Sequence, residues 1–561
     1  MSGYRQTASG GEILIESLIV QGVEHVFCVP GESYLAALDA LHDRAVSITV
    51  CRQEGGATMM AEAVGKATGR PGICFVTRGP GATNASAGIH IAAQDSTPLI
   101  LFVGQVERGM RDREAFQEID YKSFFGGVAK WVAEISSLAR IPEYVSRAFH
   151  VATSGRPGPV VLSLPEDLLT EVGEAAHARP WKQVENYPGA DEMREFQNLL
   201  SGAKRPFAIL GGSRWTRAAC DTFAEFSRCQ QLPVATSFRR QSLFSAEHRC
   251  FAGEVGAGIN PQLKSLIKDA DLLLLIGGRL SELPSSSYTL LDIPEPSAPL
   301  VHVYPGAEEL GRVYRPSLGI NASPSSFAAA LNILEDVPRS PEWVDQARNS
   351  YLEWTEQPAA NPGAVQIGAL IKWLRQHLPD DAIITTGAGN YAGWVQRFFR
   401  FREFGTFVAP TSGSMGYGVP AAVALQRLYP SRKVVAFAGD GCFLMHGQEF
   451  ATAVQYGLPI IVIVINNGMY GTIRMHQERE YPGRVTATQL INPDFAAYAR
   501  AFGGHGESVN STEQFAQAFD RASASGKPSI IEVRIDPEAI STTATLSGIR
   551  AKALEEKLAS K

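Results

Sequence analysis

The stretch VVAFAGDGCF, Val434 to Phe443, runs an apolar segment directly into an aspartate held between two glycines. The unbroken hydrophobicity of 434–438 is that of a strand buried on both faces, as in a parallel sheet covered by helices. On such sheets ligands sit beyond the carboxyl ends of the strands, where the chain turns into the next helix, and Asp440 stands at that turn. An aspartate after a strand is also an ordinary helix N-cap, so GDG alone leaves both readings open. A second stretch favours a ligand site. Asn467 lies 27 residues beyond Asp440, at the end of the next apolar run, PIIVIVINN (459–467), with one helix expected between them. If the two strands are neighbours, the Asp440 carboxylate, the Asn467 amide oxygen and the Met469 carbonyl make a hard oxygen set suited to Mg2+ or Ca2+. Gly439 and Gly441 would let backbone N–H groups approach phosphate oxygens, and the following helix offers its positive end.

Outward from this point the same alternation of short β-branched runs and helical patterns fills three blocks. The first has apolar runs at 23–29, 47–51, 72–77 and 98–104; the second at 206–212, 232–237, 271–278 and 299–305; the third at 382–387, 407–410, 434–439, 459–467 and 529–535. The segment from PEDLL onward mixes proline and charge with little β pattern and is expected to be a linker followed by a new domain's first helix. The expected fold class is α/β, with three doubly wound parallel-sheet domains at 1–175, 190–335 and 360–540. A tail, 541–561, is polar and helix-prone only near its end.

The composition suits a globular enzyme: 45% hydrophobic and 19% charged residues in 561, enough for several cored domains. A net charge of −6 gives no cationic field for nucleic acid or an acidic membrane, and neither partner is expected. Without a signal-like N-terminus or a long apolar segment, the expected location is cytoplasmic. The seven cysteines are scattered, with no CxxC pair, and are expected to be reduced core thiols.

The GDG…NN spacing resembles the fingerprint of thiamine diphosphate enzymes. The fuller text GDGCFLMHGQEFATAVQYGLPIIVIVINNGMYG is similar to the acetolactate synthase-like branch of that family, which includes pyruvate oxidases and decarboxylases. VPGES, RQEGGATMMAEA, RGPGATNASAG, AFQEID and SGSMGYGVPAA carry the likeness across nearly the whole chain. The resemblance implies pyrimidine-binding, central and diphosphate-binding domains, thiamine diphosphate with Mg2+ (or Ca2+), and one cofactor shared between blocks of two subunits, hence a homodimer or homotetramer.

It also implies roles. Glu54 would hydrogen-bond the aminopyrimidine ring; its other reading is a first-turn acid stabilised by the helix dipole. Met415 would be the apolar support on which the cofactor folds, or else a core gap-filler. Gly389, Asn390, Gly439, Asp440, Gly441, Cys442, Asn467 and Gly471 would surround the diphosphate, and Asp440, Asn467 and Met469 the metal. Pro80 and Asn84 would face the pyrimidine, though GPG also makes sense as turn chemistry. Gly31 and Gln117 would line the reacting centre, or Gln117 would tie loop backbone together.

The sequence departs from the synthases in several places. Gly387 and Tyr391 replace the acid and histidine of DxGQH. In TIRMHQ, Ile473 is kept but His476 stands where tryptophan is usual, and LPED carries Glu166 in place of lysine. These changes put acetolactate synthesis itself in doubt. The leading expectation is a decarboxylase or carboligase acting on a pyruvate-like 2-oxo acid, which passes the resulting unit to a second carbonyl, such as an aldehyde, or to a proton. Alternatives are an acyl-CoA lyase resembling oxalyl-CoA decarboxylases and a non-catalytic cofactor-binding paralogue. Acetolactate synthases also carry FAD centrally. Here Arg279 and the GGS turn (211–213) match that pattern, while Tyr304 and Pro305 remove the ribose-binding acid, so the middle domain is expected to be empty or to bind another nucleotide weakly.

Overall fold

The computed structural model describes residues 5–357 and 361–559 and divides into two compact units, 1–185 and 186–561. The first unit contains, in chain order, β1 (Arg5–Ser9), β2 (His25–Cys28), β3 (Ser47–Val50), β4 (Gly72–Val76), β5 (Leu99–Gln105), β6 (Trp131–Glu134), β7 (Pro159–Pro165) and β8 (Val172–Ala176). Six of them form one sheet in the order β3-β2-β4-β5-β7-β6, with every pair parallel. β1 and β8 form a separate antiparallel ribbon with Arg5 opposite Ala176.

The second unit contains two such sheets. One is built from β9 (Pro206–Leu210), β10 (Val234–Ser237), β11 (Phe251–Val255), β12 (Leu272–Ile276), β13 (Leu300–Val303) and β14 (Leu318–Ile320). The other comprises β15 (Ile383–Thr386), β16 (Phe407–Val408), β17 (Val434–Gly439), β18 (Ile461–Asn466), β19 (His505–Val509) and β20 (Ser529–Arg534). Their orders are β11-β10-β9-β12-β13-β14 and β16-β15-β17-β18-β20-β19, parallel throughout. The chain is therefore an α/β protein of three doubly wound domains.

Each sheet is covered on both faces, which is why its central strands are apolar along their whole length. In the first, Phe75 stacks between Tyr34 and Phe102 at centroid distances of 5.8 and 4.8 Å on one side. Elsewhere in this unit the helices Glu54–Thr68 and Gly79–Asp95 cross closely. A Cβ on Gly88 would fall 2.4 Å from that of Thr58, so the small-residue runs GGAT and GATNASAG are a packing requirement.

The structure corrects several boundaries. Each sheet has six strands, more than the apolar runs indicated: β6, β11, β14 and β19 stand at sheet edges, while β7 is an interior strand buried along its whole length that the apolar runs did not include. The segment after 165 is no plain linker: Glu166–Thr170 is helical and β8 pairs with the beginning of the chain. Two short helices, Asp440–His446 and Glu449–Gln455, separate β17 from β18, where one was expected. The tail is helical over Leu546–Ala559, anchored by Arg550, whose guanidinium donates to the Glu478 carboxylate at 2.8 and 2.5 Å.

Candidate active site

β17 and β18 are neighbours, with Gly439 opposite Ile465, so the loops that follow them open at one edge. Gly439 is the N-cap of the next helix and Asp440 its first residue, so the N-cap reading of Asp440 fails. Its carboxylate instead reaches the loop after β18. Oδ2 accepts from the Gly468 N–H at 2.9 Å and from Asn492 Nδ2 at 2.7 Å, and Oδ1 accepts from the Gly441 N–H at 3.0 Å. The side chain is almost fully buried, and desolvation holds its pKa above the ordinary carboxylate range although these donors oppose the shift.

Asp440, Asn467 and Met469 share the wall of a cavity of about 250 Å³. Its lining also includes Gly389, Asn390, Met415, Gly439, Gly441, Cys442, Gly471 and Ile473. These donors fit a divalent cation. A single carboxylate, an amide oxygen and a carbonyl leave further positions for phosphate and water oxygens, and among the described residues no group of three or more His, Cys, Asp or Glu offers an alternative. The glycines also fit a close-lying diphosphate, because a Cβ on Gly441 would lie 2.6 Å from the Tyr470 ring and one on Gly439 3.0 Å from Tyr391.

A strap from the segment before Phe495 holds this edge together. Tyr470 N–H donates to Thr488 O and Leu490 N–H to Gly468 O, each at 2.8 Å, around a bridge between Met469 and Gln489. These bonds use the carbonyl of Gly468 and leave that of Met469 outside them. Asn492 also donates to Asn466 Oδ1 at 2.9 Å, and Asn466 to Glu532 at 2.7 Å. Asn492 had no signal in the sequence, since it is 52 residues from its partner and sits in no recognisable spacing.

Cys442 is packed behind the cavity. Its Sγ accepts from the Gly416 N–H at 3.2 Å and lies 3.3 Å from the Tyr391 hydroxyl. A Cβ on Gly387 would come within 2.5 Å of that sulfur. Gly387, Tyr391 and Cys442 are thus one packing unit that fixes the loop carrying Met415, which explains the departure at TGAGNY. Asn390 is committed to the protein: Nδ2 donates to Ile540 O and Oδ1 accepts from Thr472, both at 2.9 Å. Ile535, Ala539 and Ile540 complete the wall, so the segment before the tail belongs to the site. His476 is exposed on the helix Gly471–Glu480 and does not line the cavity.

In the first unit, Glu54 opens its helix after β3, and Asn84 Nδ2 donates to Glu54 Oε2 at 2.9 Å. Pro80 and Asn84 are exposed on the helix Gly79–Asp95. A Cβ on Gly31 would meet Thr77 at 2.5 Å, leaving no room for a side chain. Gln117 has φ +64° and accepts the Gly79 N–H through its backbone carbonyl at 2.9 Å. The tie to loop backbone therefore runs through the Gln117 main chain, and its amide has no protein partner among the described residues. Glu166 is ion-paired with Arg78.

The glycine turns of the middle domain are filled by the protein itself. Trp215 Nε1 donates to Gly211 O at 2.8 Å, and a Cβ on Gly212 would fall 1.7 Å from Gly277 O. Tyr304 is buried at the end of β13. A larger cleft, about 540 Å³, runs from Phe238 and Glu254 to Trp354, Arg397 and Arg479 and meets the first cavity at 388–390. Desolvation pushes the Glu254 carboxyl up to about 8.

Comparison with known families agrees with this geometry. Residues 8–124 match the thiamine pyrophosphate enzyme N-terminal TPP binding domain, 193–331 the central domain and 387–533 the C-terminal TPP binding domain. The chain is 30% identical over 537 residues to the acetolactate synthase isozyme 2 large subunit of Escherichia coli (strain K12), covering 94% of this chain and 96% of that protein. It is 31% identical over 553 residues to the acetolactate synthase large subunit of Parasynechococcus marenigrum (strain WH8102), with coverage of 94% and 88%. It is 29% identical over 538 residues to the acetolactate synthase of Bacillus subtilis (strain 168), with coverage of 94% and 93%.

Proposed function

Because this chain belongs to the thiamine pyrophosphate enzyme family, in its acetolactate synthase-like branch, we propose that it is a Mg2+-dependent decarboxylase and carboligase acting on a pyruvate-like 2-oxo acid. The observation that carries this reading is the convergence of Asp440, Asn467 and Met469 on one wall of a glycine-lined cavity. When bound, thiamine diphosphate supplies carbanion chemistry at a carbonyl.

The chain's own residues would do the rest. Asp440, Asn467 and the Met469 carbonyl hold the cation that neutralises the diphosphate. Gly389, Gly439, Gly441 and Gly471 keep the wall open, and Asn390 fixes it from behind. Met415, held by Cys442 through Gly416, would offer the cofactor an apolar support. Glu54, oriented by Asn84, would hold a proton for the pyrimidine ring nitrogen, and Pro80, four residues before Asn84, would face the same ring. Gly31 and Gln117 border the substrate.

The active unit in this reading is a homodimer or homotetramer. Support comes from Leu444 and Met445, each 43% exposed one turn beyond Asp440, an apolar face that a second copy would cover. The filled glycine turns of the middle domain support a domain without flavin. The test is CO2 release across a panel of 2-oxo acids, with and without aldehyde acceptors. Release from none of them overturns the reading.

A further inference from the structure

The cleft of about 540 Å³ that meets the Asp440 cavity is far larger than pyruvate needs. Its volume is that of a site for a bigger small molecule, roughly 300–1,000 Å³. Both spaces lie within the second compact unit. They share the wall residues Ala388, Gly389, Asn390, Gly413 and Thr472, so a molecule reacting in the cavity would extend directly into the cleft.

The charged groups on the cleft wall are Arg239, Arg397, Arg479 and Glu254. With its carboxyl raised to about 8, Glu254 is mostly protonated at neutral pH and does not offset the arginines. The cleft is therefore cationic in a chain of net charge −6. Arg397 is held in one orientation: its guanidinium stacks on the Trp354 ring at 3.8 Å, while Nε donates to Trp354 O and Nη1 to Thr542 O, both at 3.0 Å. Among the described residues Nη2 has no hydrogen-bond partner and the side chain pairs with no carboxylate. Burial lowers its pKa with no acid opposing the shift, a strain that a bound anion would relieve. A guanidinium fixed in advance also loses little further freedom when an anion arrives. Arg479, exposed on the helix Gly471–Glu480 one turn beyond Met475, likewise pairs with no carboxylate among the described residues. Much of the remaining wall is apolar, including Phe238, Leu263, Leu283, Met475 and Ile549.

We propose that this cleft receives the far end of the substrate, and that the 2-oxo acid is longer than pyruvate and ends in a second anionic group seated on Arg397 and Arg479. The proposal rests on the function proposed above and narrows its substrate class. The apolar wall takes the chain between the carbonyl and the second anion. The Arg397 guanidinium presents the planar donors that a carboxylate or phosphate accepts from. This second anion takes no part in the chemistry; it decides which acid is retained.

The test compares kcat/KM for CO2 release from 2-oxoglutarate and 2-oxoadipate with that from 2-oxopentanoate and 2-oxohexanoate, which match them in length but are uncharged at the far end. The wild type should favour the dianion at one length or both by about tenfold or more, the lower end for hydrogen bonds to a charged group. Arg397→Gln should abolish the preference and Arg397→Lys retain part of it. Arg479→Gln should reduce it by about fivefold, the ceiling for an exposed charge pair. Because Arg397 also ties the backbone of Trp354 and Thr542, the exposed Arg479→Gln carries the test if Arg397→Gln fails to fold. Calorimetry with glutarate and pentanoate reads the cleft without turnover: glutarate should bind more tightly, and both glutamine variants should narrow the difference. CO2 release with no preference for either dianion overturns this proposal alone. Preferential glutarate binding that the variants remove, with no CO2 released from any 2-oxo acid, supports the anion site and overturns the proposed function.

Discussion

Asn492 Nδ2 lies 2.7 Å from Asp440 Oδ2, joining residues on separate loops at the carboxyl edge of the third sheet. The same nitrogen donates to Asn466, so one amide fixes the carboxylate and the Asn466–Asn467 turn relative to each other. Asn492→Ala should weaken Mg2+ binding in the presence of thiamine diphosphate by about tenfold, the lower end of the range for outer-shell partners of a metal site. Calorimetric titration checks this, and an unchanged dissociation constant would reduce Asn492 to a loop tie.

Asp440→Ala removes the only carboxylate of the donor set. The fold should persist, because the strands around it are held by ladder bonds and apolar packing, but retention of thiamine diphosphate should be lost. Undiminished cofactor binding in calorimetry would sink the assignment.

Glu54→Gln keeps the bond from Asn84 yet cannot share a proton with the pyrimidine. Activity should fall by a factor of about 10² or more, with little change in cofactor affinity. Near-normal exchange of the thiazolium C2 proton in the variant would refute the role.

The middle domain should hold no flavin, because Trp215 and the contact of Gly212 with Gly277 occupy its glycine turns. The purified protein should be colourless. A stoichiometric yellow chromophore released on denaturation would overturn this and move the activity toward acetolactate synthase proper.

Glu254 gives a pH signature. Its carboxyl is raised from an ordinary 4.5 to about 8 by desolvation, so the folded state binds the proton more tightly than the unfolded chain. The sign follows from linkage: this group's contribution is fully present below pH 4.5 and is lost as pH rises toward 8. Urea midpoints measured across that window should fall with pH, and Glu254→Gln should flatten the slope.

The sequence displayed the strands buried on both faces, such as Leu272–Ile276, because two-sided burial demands an unbroken apolar run. It hid most of those without such burial, and also the buried run Pro159–Pro165, which is interrupted by a serine and bounded by prolines. Trp131–Glu134 is only half-buried, His505–Val509 is largely polar, and Val172–Ala176 is built of small residues and mostly exposed, so no periodicity marks them. The site followed the same division. Asp440 and Asn467 were visible because each stands where a buried apolar run ends, Asp440 between two glycines and Asn467 beside a second asparagine. Asn492, the packing of Cys442 with Gly387, and the wall at Ile540 depend on contacts between distant segments, which leave no local pattern. Glu166 was recognised as a change of charge, but its pairing with Arg78 needed two distant segments to be seen together.

The ribbon between Arg5–Ser9 and Val172–Ala176 has a consequence for biosynthesis. Arg5–Ser9 has its partner more than 160 residues later, so during translation it must wait, unpaired, until that partner leaves the ribosome. At about 5–20 residues per second that wait lasts on the order of ten seconds or more. The sequences RQTAS and VGEAA, each charged and with no large apolar residue beyond Val172, suit such a delay, since an exposed strand of low hydrophobicity is a poor seed for aggregation while the parallel sheet beside it assembles.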